Sequence, residues 1–112
     1  MKRTMMCIVV LASTATAYAY DYPTLDRVEY VEKCMVDSGG SRHEMLYKCS
    51  CAIDAVAKEM PYEEYVDAST AANAMSIGGE RGGVIRDSQV GKDLAAKFRA
   101  VQGKAKKSCF LN

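Results

Sequence analysis

Sulfur is the most reactive chemistry in this chain of 112 residues. Past the N-terminal stretch stand Cys34, the pair Cys49-Ser50-Cys51, and Cys109. Three chemistries are open to such a set. Paired sulfurs can close disulfides, which persist in oxidising compartments. An exposed thiolate with a lowered pKa can exchange them. Soft sulfur and imidazole donors can hold copper, and here the donors would be His43, Met45, Cys49 and Cys51, with Cys34 or Met35.

Spacing separates these readings. Residues two apart on a helix point about 200° away from each other. Cys49 and Cys51 on one helix would therefore face different neighbours. This favours two separate bridges and disfavours one shared metal ion. The Cys-x-Cys pair also lacks the Cys-x-x-Cys of a thioredoxin-like βαβ setting, and no Cys-x-x-Cys-His is present for covalent haem. The expectation is two disulfides, with no metal and no cofactor. Cys49 comes nearer to Cys34 if the second helix returns antiparallel to the first. That favours Cys34–Cys49 with Cys51–Cys109, while Cys34–Cys51 with Cys49–Cys109 stays open.

The second candidate is Gly78-Gly79-Glu80-Arg81-Gly82-Gly83, followed by Val84-Ile85-Arg86-Asp87. It reads as a loop. Gly79 and Gly82 permit backbone shapes closed to other residues. Arg81 and Arg86 could take a carboxylate or phosphate in bidentate fashion. The plainer reading is a connector between helices, with one arginine tied to a nearby acid. It is no P-loop, since the Lys-Ser/Thr is missing.

The third candidate is the last helix. It carries Lys92, Lys97, Arg99, Lys104, Lys106 and Lys107 against Asp93 alone. Such a face is either solvated or a docking surface for an acidic protein. Near-zero net charge counts against nucleic acid. His43, the lone histidine, has no evident nucleophile beside it. Glu29, Glu32, Glu63 and Glu64 read as ordinary surface and first-turn residues. No catalytic set emerges, and the chain reads as a non-enzyme.

Four helices would position these groups in an all-α domain. The first runs from about Thr24, as N-cap, to Asp37, with Leu25, Val28, Val31 and Met35 as its apolar stripe. The second opens on Ser41-Arg42-His43-Glu44, a capping box, and stops before Pro61. The third covers about Tyr62 to Ser76. The fourth starts near Asp87 or Ser88 and ends near Cys109, with Val90, Leu94, Phe98, Val101 and Ala105 on one side. Gly91 and Gly103 should weaken it by roughly 1 kcal/mol each. Most of the tyrosines should sit half-buried, with Tyr20 and Tyr22 in an unstructured start.

The N-terminus has the parts of a secretion signal. Lys2 and Arg3 are followed by the apolar Met5–Ala12 and by Ala17-Tyr18-Ala19, a small-x-small cleavage site. The apolar run is far short of the roughly 20 residues that span a bilayer. Cys7 lies inside it and would be discarded. The expected division is a signal over 1–19 and one disulfide-stapled domain over 20–112. Loss of Lys2 and Arg3 moves the formal charge from +1 to about −1. A domain this small has limited core area, which is a physical reason for staples. The expected compartment is the periplasm or the extracellular space.

The run Tyr47-Lys-Cys-Ser-Cys-Ala-Ile-Asp-Ala55, the later Tyr62-Glu-Glu-Tyr-Val66 and the segment Gly78–Asp87 resemble those of small secreted proteins of proteobacteria, some of them among methanol or alcohol oxidation systems. The resemblance covers about half of the mature chain. It implies a periplasmic accessory role and carries no activity, so no site residue transfers with it. The combined expectation is a non-enzymatic periplasmic accessory protein. Its protein partner would contact Gly79, Arg81, Gly82, Arg86, Lys92 and Arg99. The alternative is a copper or thiol-redox carrier using Cys49 and Cys51.

Overall fold

A computed structural model describes residues 21–112 of the chain; the expected signal over 1–19 lies outside them. Five α-helices follow one another: α1 (Thr24–Ser38), α2 (Arg42–Glu59), α3 (Tyr62–Ser76), α4 (Glu80–Asp87) and α5 (Gln89–Ser108). The domain is all-α, and no strand occurs among the described residues. No helix of these residues is long and apolar enough to cross a membrane.

The helices pack in two groups joined at α2. α1 lies on α2, and α2 lies on α5. α3, α4 and α5 pack on one another. Cys49, Val56 and Met60 are wholly buried at the centre of α2 and its end. Both disulfides start from this helix. Cys34–Cys49 ties it to α1, with Cα atoms 5.8 Å apart, and Cys51–Cys109 ties it to the end of α5, at 5.9 Å. The favoured connectivity is the one formed. In the chain-entropy model, closing these loops stabilises by about 3 kcal/mol for the short one and about 4 kcal/mol for the long one.

Several local expectations are corrected. Pro23, not Thr24, is the N-cap of α1. Ser41 does cap α2 by position, but its side chain makes no cap hydrogen bond. Glu44 instead pairs with Lys48 at 2.6 Å, so the capping box does not close. Of the expected stripe of α1, Val31 and Met35 pack half-buried against the core, but Leu25 and Val28 are exposed, and the fully buried residues are Tyr30 and Cys34. The disulfide sets this rotation, because Cys34 must face α2. Val90 likewise points to solvent, and Gly91 and Ala95 take its expected place against the core.

Tyr22 is not part of an unstructured start. It is 2 % exposed and donates to the Met60 carbonyl at 2.8 Å. Its ring packs on Tyr65 and, edge-on, on Tyr62, and Tyr65 packs edge-on to Phe98. This aromatic run carries the core from the start of α1 through α3 to α5. Tyr47, by contrast, is exposed.

The fourth expected helix is two helices. The glycine segment is not a loop beyond Gly79; Glu80 to Gly83 form the first turn of α4. Glycines disfavour a helix by roughly 1 kcal/mol each, but packing overrides that here. A Cβ on Gly82 would lie 2.5 Å from the Ile77 carbonyl oxygen and 2.8 Å from that of Ala74. Only glycine lets α4 sit this close to the end of α3. Gly91 does the same service between α4 and α5, where a Cβ would meet the Ile85 carbonyl oxygen at 2.5 Å. Its backbone N–H is held by the Ser88 side chain at 2.9 Å, a cap of the expected kind.

The buried tyrosines impose a pH dependence. Burial disfavours the phenolates of Tyr22, Tyr30 and Tyr65 and raises all three above the ordinary tyrosine value. The unfolded chain therefore releases these protons first. Their contribution to stability is complete below about pH 10 and is lost as pH rises through the folded values. The urea midpoint should fall between about pH 10 and about pH 12, and Tyr65→Phe should make that fall shallower. An unchanged midpoint would show that these hydroxyls do not titrate against the fold.

Candidate functional site

The four sulfurs are all engaged in bridges, but the bridges differ in access. Cys34 and Cys49 are buried, Cys49 completely. Cys51 is exposed, although its partner Cys109 is buried. The i, i+2 geometry therefore holds: one sulfur of the pair faces the core and α1, the other the surface and the C-terminus. The copper donor set is not gathered. His43 is exposed and packs edge-on to Tyr47, one turn along α2. Met45 is half-buried beside Gly40. Among the described residues, no group of three or more His, Cys, Asp or Glu side chains is placed to hold a metal ion.

The glycine–arginine segment divides. Arg86 is tied, though not to an acid. Its guanidinium donates to the Ile77 carbonyl and, at 2.8 Å, to the Gly79 carbonyl. It thus closes the α3–α4 turn, and its fork is not available to a ligand. Gly79 forms the N-cap of α4, and Gly82 is buried against α3. Arg81, the other arginine of the segment, is exposed and forms no ion pair among the described residues.

The basic helix also divides. Lys97 pairs with Glu64 of α3, and Lys104 pairs with Glu59 of α2 at 2.6 Å. These two lysines clasp α5 to its neighbours, each worth at most about 1 kcal/mol in such exposed settings. Lys92, Arg99, Lys106 and Lys107 form no ion pair among the described residues. Lys92, Arg99 and Lys106 recur every seven residues and so share one face of α5.

Two depressions mark the surface. One, of about 370 Å³, runs between α1 and α2 and is walled by Val28, Val31, Met35, Leu46 and Ile53. It is mostly apolar. The other, of about 420 Å³, lies between α1, α3 and α5 and is mostly polar. Its floor is Tyr30, Tyr65 and Phe98. Asp26, Glu29 and Asp37 stand along α1, and Arg99 and Lys106 stand opposite on α5. Sequence reasoning reached Arg99 but missed Glu29, Tyr30 and Tyr65, which come from separate helices. The excess of tyrosine in a chain without tryptophan was the one available signal.

Comparison with protein-family models, curated proteins and solved structures returned no match. The site is therefore read from its own geometry.

Two outcomes test this description. Gly82→Ala should destabilise the fold by about 1–3 kcal/mol, because backbone carbonyls cannot move aside as a flexible side chain would. An urea melt with an unchanged midpoint would show that α4 does not need the close approach. Under mild reduction, Cys51–Cys109 should open before Cys34–Cys49, because thiol attack requires access. Alkylation followed by peptide mass mapping reads the order; early labelling of Cys34 would contradict it.

Proposed function

We propose that the chain is a non-enzymatic accessory protein of the bacterial periplasm, which binds an acidic protein partner through α4 and the basic face of α5. One observation carries the reading. Lys97 and Lys104 are neutralised by carboxylates of neighbouring helices, yet Arg81, Lys92 and Lys107 remain exposed and unpaired among the described residues. Exposed Ile77, Val84 and Val90 lie in the same stretch of chain. Cations interspersed with apolar side chains suit a surface that steers an acidic protein by charge and then excludes water. The two disulfides suit an oxidising compartment. The resemblance to small secreted proteins points the same way.

A second reading, thiol–disulfide exchange, has one observation in its favour. Cys51 is exposed on α2, so the Cys51–Cys109 bridge is open to an attacking thiolate. A copper carrier is less favoured, because both thiolates of its donor set are bound in bridges to different partners.

The docking reading predicts capture of an acidic protein from periplasmic extract at low ionic strength. Capture should fade as salt approaches about 0.5 M, where charge interactions are screened within a few ångströms. It should also be lost in the Lys92→Glu/Lys107→Glu variant. A captured protein indifferent to both salt and charge reversal would sink the proposal, as would no capture at all.

A further inference from the structure

We propose that the Cys51–Cys109 bridge is a reversible latch: a dithiol opens it by attacking the exposed Cys51 sulfur, and opening frees residues 106–112 from the domain. The inference rests on the exchange reading of that bridge and adds what exchange does to the fold.

The latched segment is held closed against its own backbone. Phe110 has φ 60°, and among the described residues it is the only one other than glycine with a positive φ. In that left-handed region a Cβ crowds the following carbonyl oxygen. The hydrogen bonds define the position. The Leu111 N–H donates to the Lys106 carbonyl at 2.9 Å, and the Phe110 N–H donates to the Lys107 carbonyl at 3.3 Å. This is the helix-ending pattern whose left-handed residue is usually glycine. No burial of the ring offsets the strain, because Phe110 is 82 % exposed. What opposes it stands on either side. Cys109 is buried and bonded to Cys51, and Leu111 is buried in the core cluster. Without the covalent tie, Leu111 alone would have to keep a strained turn closed.

The rest of the domain is fastened independently. Cys34–Cys49 is buried at both ends. Further up α5, Phe98 packs edge-on to Tyr65, and Lys97 and Lys104 pair with Glu64 and Glu59. Beyond Lys104 no ion pair holds α5 among the described residues, and Ala105 is the last buried residue before Cys109. Opening is therefore a local event at the weakly held end of the helix.

The geometry also selects the sulfur. Cys51 is exposed and Cys109 is buried, so an attacking thiolate reaches Cys51. A mixed disulfide forms at Cys51, the Cys51–Cys109 bond breaks, and Cys109 leaves as a thiolate that takes up a proton. The second thiol of the dithiol, once deprotonated, then displaces Cys51. The dithiol is oxidised to a disulfide by two electrons, and the bridge is reduced to two thiols. Release of the Phe110 turn then favours the open form.

The test is NMR of the protein equilibrated with dithiothreitol, with alkylation and peptide mass mapping to show which cysteines have opened. Mild reduction should open Cys51 and Cys109 alone. The amide resonances of 106–112 should then move to random-coil positions, while those of α1, α2 and α3 stay dispersed. Two variants should shift the reduction equilibrium in opposite directions. Phe110→Gly relieves the strain of the closed form and should lower the equilibrium constant for reduction about threefold or more. Leu111→Ala weakens the apolar anchor and should raise it about threefold or more. If Cys51–Cys109 stays closed, or Cys34–Cys49 opens first, the exchange reading fails and the latch with it. If the bridge opens yet 106–112 keep their helical shifts, exchange stands and the latch is overturned. Loss of dispersion throughout the chain would also overturn it, as would an equilibrium constant that neither variant moves.

Discussion

Helix α2 holds the molecule together because two cysteines two residues apart on it face opposite ways. Cys49 points inward and fastens α1; Cys51 points outward and fastens the end of α5. A small domain has little apolar area with which to hold five helices. Two covalent ties from one helix remove much of that burden by restricting the unfolded chain. The tie at Cys34 also sets the rotation of α1. It brings Tyr30 into the core and leaves Leu25 and Val28 in solvent. That rotation places Glu29 on the rim of the α1–α3–α5 cleft.

The second constraint is the close approach around α4. Gly82 and Gly91 bring backbone within contact of carbonyls that a methyl group would strike. Arg86 then ties the turn between α3 and α4 by its guanidinium. A segment that looks like a flexible, anion-binding loop is thus an ordered helix, and its most promising arginine is used internally. What remains for recognition is cationic surface that neighbouring helices do not neutralise. Arg81, Lys92 and Lys107 belong to that class; Lys97 and Lys104 do not.

The two surface features differ in what supports them. The α1–α2 groove is apolar, with nothing in its charge pattern to select an occupant. The α1–α3–α5 cleft is mostly polar, with acidic side chains from α1 and basic ones from α5 along its edges.

Short-range regularities were legible in the sequence by itself. Helical periodicity and the breaks at Ser38-Gly39-Gly40 and Pro61 located the first three helices, and Ser88 located the start of the last. The 200° offset between Cys49 and Cys51 argued for two bridges on purely local geometry. The disulfide staples and the all-α domain came from the same kind of evidence. Tertiary structure alone decided which face of α1 is buried, because a covalent bond to a distant helix outweighs a stripe of modest apolar residues. It alone decided that Glu80 to Gly83 form a helical turn, since propensity was overridden by contacts with α3 and α5. It alone assembled the cleft, whose residues lie far apart in sequence and on three helices. Periodicity records which side of a helix is apolar; it does not record which helix that side will meet.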